Sequence, residues 1–255
     1  MANLLRSAGV GSQDRVAFLD KNGIEHFEVF YGAALINAVI VDVNWRLAAP
    51  EVEFIVNDSQ AKVLVVGPDF VPVLEAIRPN LTSVNRVLVI GDDYESELAA
   101  HPADDPGVVQ AADDVAFQVY SSGTTGRPKG VMLTNSNFFG LVPVVEELWE
   151  FRPDSVLLVA MPLFHVGGCG WSTAGMYVGA TCVVVRDLDP AALVHLFGER
   201  GITHAFLVPA VLQFMLMVPG VDDGDYASLE VVTYGASPIS DAVLARSVEL
   251  LKCKF

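Results

Sequence analysis

At 255 residues the chain has room for one large domain or two smaller ones. Apolar residues make up 52% and charged residues only 18%, which excludes a disordered chain and supplies a sizeable core. With 15 Lys and Arg against 31 Asp and Glu, the net charge of −16 argues against nucleic-acid binding, which needs a basic face, and against a broad electrostatic grip on anionic lipid, so a polyanionic ligand would require its own local cation.

The three cysteines, Cys169, Cys182 and Cys253, form no Cys-x-x-Cys pair. That predicts a reducing, cytoplasmic location with neither a disulfide framework nor a zinc site. The opening MANLLRSAGVG lacks a long apolar core, so no signal peptide is predicted. Ser155–Val185 carries no charged side chain and is long enough to span a bilayer. Pro162, His165 and five glycines (167, 168, 170, 175 and 179) divide it, and two buried strands with a glycine-rich connection fit better. A transmembrane span is therefore not predicted, and contact with a membrane surface stays open.

Along the chain, Phe27, Phe30, Tyr31, Ala34, Leu35 and Ala38 recur at helical spacing, and Val39–Val43 follows as a buried strand. Pro50 suits a helix start continued by Glu51–Val56. Strand Lys62–Val66, helix Val71–Ile77 and strand Arg86–Ile90 come next. Asp92–Asp114 is acidic with Pro102 and Pro106, a surface connection and a candidate subdomain boundary. Strand Val115–Tyr120 precedes a helix over about Ser136–Phe151, with Phe138, Leu141, Val145 and Leu148 on one face and Pro143 as a kink or late start. Strands Val156–Met161 and Thr181–Arg186, helix Ala191–Arg200, strand His204–Val208, helix Ala210–Met217, strand Leu229–Thr233 and helix Ile239–Leu251 complete the pattern. Repeated βα units predict an α/β fold of mainly parallel sheets flanked by helices. Lys252–Phe255 reads as the start of a further strand, which predicts a chain cut within its fold.

One stretch carries chemistry. Residues Ser121–Gly130 read SSGTTGRPKG, after a strand and ahead of the expected helix. Glycines let backbone N–H groups approach an anion, the hydroxyls of Ser121, Ser122, Thr124 and Thr125 can donate to phosphate oxygens, and Lys129 supplies a compact positive charge. Counted from Gly123, the Walker A positions fall on Pro128, Lys129 and Gly130, so that motif fails, as does G-x-G-x-x-G. The plain alternative is a solvated Ser/Gly/Thr turn.

SSGTTGRPKG, flanked by Tyr120 and Val131, resembles the phosphate-loop signature of the adenylate-forming superfamily, which includes acyl-CoA synthetases, aryl-CoA ligases, firefly luciferase and peptide-synthetase adenylation domains. Phe30–Val66 is similar to that family's early helix-strand-helix-strand region, MPLFHVGG (Met161–Gly168) to its acyl-pocket motif, and YGASPIS (Tyr234–Ser240) to its adenine-contacting motif. The resemblance implies that a carboxylate attacks the α-phosphate of ATP, giving acyl-AMP and pyrophosphate, and that a thiol, usually of coenzyme A, then displaces AMP. It implies that Ser121, Ser122, Gly123, Thr124, Thr125, Gly126 and Lys129 hold the β- and γ-phosphates, with Ser121 helping to place Mg²⁺. It puts His165 near the acyl carboxylate and α-phosphate, where the alternative is a buried histidine satisfied by a backbone carbonyl. Val166, Gly167 and Gly168 would line the acyl channel, or the glycines serve only a tight turn. Gly235, Ala236, Ser237 and Pro238 would wall the adenine; Ser237 and Pro238 would equally suit the N-cap and first position of a helix. Trp45-Arg46 and Trp171 read as structural, and Cys169 as a small apolar filler.

Members of this family carry further residues on both sides of the matched stretch, among them a Tyr-Gly-x-Thr-Glu motif, a ribose-binding aspartate and a small domain with a catalytic lysine. The expectation is thus an incomplete large N-terminal domain of an acyl-CoA synthetase, acting on a fatty or aryl acid with ATP, Mg²⁺ and coenzyme A, and poorly active alone. The apolar residues around His165, where amino-acid-activating relatives carry aspartate, favour a fatty or aryl acid over an amino acid. The competing reading is a non-catalytic remnant that binds nucleotide or a partner protein.

Overall fold

The computed structural model describes residues 1–121 and 127–255, with only the backbone for Glu146. The chain forms two compact units, Met1–Phe139 with Leu163–His165, and Gly140–Pro162 with Val166–Phe255. The division falls at Phe139–Gly140, not in the acidic stretch 92–114.

The first unit runs α1 (Ala2–Ser7), β1 (Arg15–Leu19), α2 (Ile24–Ala34), β2 (Val39–Asp42), α3 (Ala49–Asp58), β3 (Val63–Val66), α4 (Val71–Ile77), β4 (Arg86–Val89), α5 (Asp92–Ala99), β5 (Val115–Ser121), β6 (Lys129–Thr134) and α6 (Asn135–Phe139). Its six strands lie in the order β4-β3-β1-β2-β5-β6, all parallel except β6, which is antiparallel to β5. The strands β2 and β3 are buried at every position, as their continuous apolar runs require in a sheet covered on both faces. Ala17, Leu19, Val41, Leu64 and Val66 of the sheet pack against Val52, Ile55, Val56, Leu74 and Ile77 of α3 and α4.

Two expectations are corrected here. The acidic stretch contains α5, because Asp92, Asp93 and Glu95 in its first turn complement the positive helix end, and Tyr94 is buried with its hydroxyl donating to Glu28 Oε2 at 2.6 Å. Beyond it, Asn3 Nδ2 donates to Pro102 O and Asp104 O, both at 2.9 Å, tying that segment down. The phosphate-loop motif leads into β6, not a helix; Val131 and Met132 are exposed, so β6 has no apolar alternation to betray it.

The single helix expected over 136–151 is two, α6 and α7 (Val142–Glu147), interrupted at Gly140–Leu141 with Pro143 in the first turn of α7. Its presumed common face is shared out: Phe138 meets the rings of Phe30 and Phe117 in the first unit at 6.0 and 5.9 Å, and Val145 is buried in the second.

The second unit continues from α7 with β7 (Val156–Val159), α8 (Val166–Tyr177), β8 (Thr181–Val184), α9 (Pro190–Arg200), β9 (His204–Leu207), α10 (Pro209–Leu216), β10 (Val231–Tyr234) and α11 (Asp241–Leu251). The four strands are parallel in the order β10-β9-β7-β8. Lys254 makes a parallel bridge to Val231 on β10, with Val232 N donating to Lys254 O at 2.8 Å. The charge-free stretch 155–185 is β7, α8 and β8, and no described helix is long and apolar enough to cross a membrane.

A helix stands where a glycine-rich connection was expected. Close packing accounts for it: a Cβ on Gly168 would lie 2.2 Å from Pro162 O, and one on Gly175 would lie 2.3 Å from Leu157 Cδ2. The glycines that weaken helix propensity let α8 lie against β7 and its exit, and Trp171 Nε1 donates to Leu158 O at 3.1 Å to hold it there.

Candidate functional site

The site is best built from the ends of strands. In a parallel sheet every strand delivers its following loop to the same edge, and ligands collect there. In the first unit Asp42 of β2 pairs with Val119 of β5, so Asn44 and Ser121, two residues on, reach the carboxyl edge together. Ser121 is the cross-strand partner of Lys129, and both are exposed. The hydroxyl and the ammonium thus flank the two ends of the connecting residues. Ser122, Gly123, Thr124, Thr125 and Gly126 lie outside the described residues.

His165 belongs to a short segment, Leu163–His165, grouped with the same unit. Leu163 N donates to Asn22 Oδ1 at 3.0 Å, just past the end of β1. The Arg46 guanidinium, past the end of β2, lies 4.5 Å from the Trp45 ring and 5.5 Å from the Phe164 ring. This clasp holds the segment at the carboxyl edge that also receives Ser121 and Lys129. Trp45-Arg46, read from sequence as structural, therefore anchors the residue beside His165; the aromatic at 164 was the available signal. His165 itself is exposed, which excludes the buried-histidine alternative.

In the second unit β7 sends its connection toward β8, and β9 sends its own toward β10. The crevice at such a reversal lies at the carboxyl ends of β7 and β9. Met161 and Pro162 leave β7 there, and Gly235–Pro238 leaves β10 at the same edge. Val166, Gly167 and Gly168 form the first turn of α8, so the glycines do not serve a tight turn; Gly168 is buried against the Met161–Pro162 backbone. Ser237 is not a helix cap: α11 is capped by Ser240, whose hydroxyl accepts from Val243 N at 3.3 Å. Ala236 instead takes a left-handed conformation, φ 66°, at a cost of about 1 kcal/mol. A Cβ on Gly235 would meet nothing within 4 Å, so the space beside this turn is open.

The thiols add nothing reactive. Burial pushes Cys182 up to about 11, and burial chiefly does the same for Cys253, also about 11. Cys169 is wholly buried on α8, in keeping with a filler. Sequence reasoning passed over a buried pair in the first unit: His26 Nε2 lies 2.7 Å from Asp42 Oδ2, with burial raising the Asp42 pKa and His26 opposing that rise. Neither residue type stood in a motif. Among the described residues no group of three or more His, Cys, Asp or Glu side chains is arranged for a metal ion.

Comparison with known proteins identifies the family. The sequence profile of the AMP-binding enzyme family matches residues 1–255. A fatty acid–[acyl-carrier-protein] ligase, ScoC, from Streptomyces coeruleorubidus is 37% identical over 100% of this chain and 50% of its own length. The long-chain-fatty-acid–CoA ligase FadD13 of Mycobacterium tuberculosis is 33% identical over 98% of this chain and 51% of its own. The crystal structure of the N-terminal domain of FACL13 from Mycobacterium tuberculosis superposes with a TM-score of 0.92 at 31% identity, covering 98% of this chain and 63% of that one. The chain spans about half the length of the curated relatives it matches. With the Ser121–Lys129 pair, the Leu163–His165 segment and the Gly235–Pro238 turn all at carboxyl strand edges, and the profile matched from end to end, the chain belongs to the AMP-binding enzyme family.

Proposed function

We propose that this chain supplies the nucleotide- and acid-binding portion of a ligase that activates a fatty acid with ATP and passes the acyl group to coenzyme A. The observation that carries the reading is the exposed Ser121–Lys129 pair, on an antiparallel hairpin at the carboxyl edge of an otherwise parallel sheet. In this reading Ser121 to Gly126 and Lys129 hold the β- and γ-phosphates, and Ser121 helps to orient the Mg²⁺ that accompanies ATP. Pyrophosphate leaves with growing negative charge, and donors fixed around it lower that barrier. His165 stands by the acyl carboxylate, Val166 to Gly168 by the acyl chain, and Gly235 to Pro238 against adenine. The identity to ScoC favours a second acceptor, a carrier-protein thiol.

The test is acid-dependent pyrophosphate release by the whole protein, with fatty and aryl acids, followed by thioester formation with coenzyme A or a carrier protein. Adenylation of a fatty acid with transfer to coenzyme A is expected. Transfer only to the carrier protein would replace the acceptor, and the absence of acid-dependent pyrophosphate release would overturn the reading.

A further inference from the structure

The hairpin that presents Ser121 and Lys129 has two faces. Those two side chains share one, as a cross-strand pair. The neighbouring pair, Tyr120 opposite Gly130, belongs to the other face, with Gln118 two residues before Tyr120 on the same side. There a chain of hydrogen bonds crosses the first unit. Arg15 Nε donates to Gln118 Oε1 at 3.4 Å, Gln118 Nε2 donates to Tyr120 Oη at 3.2 Å, and Tyr120 Oη donates to Asp58 Oδ2 at 2.7 Å.

The directions are mutually determined. A guanidinium can only donate, so the Gln118 oxygen faces Arg15 and its amide nitrogen faces Tyr120. The phenol then has its proton left for the carboxylate. Burial, reinforced by Asp58, raises the Tyr120 pKa, so the hydroxyl remains a donor at neutral pH. The chain runs from cation to anion and ties β1, β5 and the end of α3 together.

Gly130 makes the crossing possible. A Cβ there would lie 2.5 Å from Gln118 Nε2 and 3.1 Å from Tyr120 Cζ. Without a side chain on β6 at that point, both Gln118 and Tyr120 fold over the strand, and the register that sets Lys129 opposite Ser121 is pinned from behind.

We propose that Tyr120 is a positioning residue for triphosphate binding: through Asp58 and Gln118 it fixes the hairpin so that Ser121 and Lys129 meet the β- and γ-phosphates together. The inference rests on the nucleotide-binding reading above. It separates two kinds of nucleotide contact, because the β- and γ-phosphates depend on this hairpin and the adenosine monophosphate portion does not.

Titration calorimetry of the 255-residue chain with ATP, pyrophosphate and AMP, for the unaltered chain and for Tyr120→Phe, Asp58→Ala and Asp58→Asn, tests it. Tyr120→Phe and Asp58→Ala should weaken ATP and pyrophosphate about 3- to 10-fold, the range for one lost hydrogen bond, and leave AMP within about twofold. Asp58→Asn keeps an acceptor for the phenol and should restore most of the loss. Equal weakening of ATP and AMP would mark a merely structural tyrosine and overturn the inference, as would unchanged ATP affinity in Tyr120→Phe. Failure of the unaltered chain to bind ATP or pyrophosphate would remove the nucleotide reading and this inference with it.

Discussion

Lys129 stands exposed on an edge strand in a chain of net charge −16, so its ammonium is a local exception to the surrounding field. Lys129→Ala should weaken ATP by about 1.5–3 kcal/mol, the usual cost of one charged hydrogen bond, with AMP unchanged; calorimetry on both ligands checks this. Gly235 offers a cleaner probe of the proposed adenine wall, because its Cβ position is open and its φ is not left-handed. Gly235→Leu should therefore leave the melting temperature within a few degrees yet weaken both ATP and AMP at least about tenfold, since only the bound base would meet the new side chain. His204 is wholly buried, its Nδ1 2.7 Å from Thr203 Oγ1 and its ring edge-on to Phe151. Burial chiefly lowers its pKa. The unfolded chain then takes up a proton before the folded one does, so stability should be full above about pH 6.5 and decline as pH falls below it, by at most about 1.4 kcal/mol per pH unit. Denaturant melts at pH 7.5 and 5.5 should show that decline, and His204→Phe should flatten it.

At the scale of elements, α5 is a docked helix whose composition looks like a linker. Tyr94→Ala would empty a buried aromatic site and cost about 3–5 kcal/mol, opening residues 92–114 to limited proteolysis that the unaltered chain resists. The parallel strands were legible because burial on both faces demands continuous apolar runs, and β3 and β7 read as such. Among the elements that were not legible, three have separate reasons. In α5 the acidic residues serve the helix end while a single tyrosine does the packing. In α8 the glycines serve contact with Leu157 and Pro162, which a propensity scale counts only as a penalty. In β6 the exposed Val131 and Met132 remove the alternation that identifies a half-buried strand. The Ser121–Gly130 motif stood out by residue type and spacing, but the face that Lys129 presents follows from pairing with Ser121, which no local pattern encodes.

For the molecule as a whole, the two units each own a mainly or wholly parallel sheet with candidate residues at its carboxyl edge. Attack on the α-phosphate needs positive charge in the transition state beyond a hold on the leaving group, and loss of one such group commonly costs about 10²–10³ in rate. This chain spans about half of its curated relatives. The 255-residue chain by itself should bind ATP yet form acyl-CoA far below about 1 s⁻¹, the lower range of ordinary turnover, in an assay with ATP, Mg²⁺, a fatty acid and coenzyme A. Turnover at that rate from this chain alone would contradict the proposal.

The antiparallel return of β6 beside β5 has a consequence for how this stretch tolerates change. Side chains alternate faces along a strand, so the spacing from the paired positions to the loop counts in twos. Deleting a single residue between Lys129 and Thr134, with the remaining pairs kept, would carry the ammonium to the Tyr120 side, while a two-residue change would shift it along the strand without turning it over. Length variants in β6 should therefore fall into odd and even classes, with anion binding surviving better in the even one whatever residues are inserted.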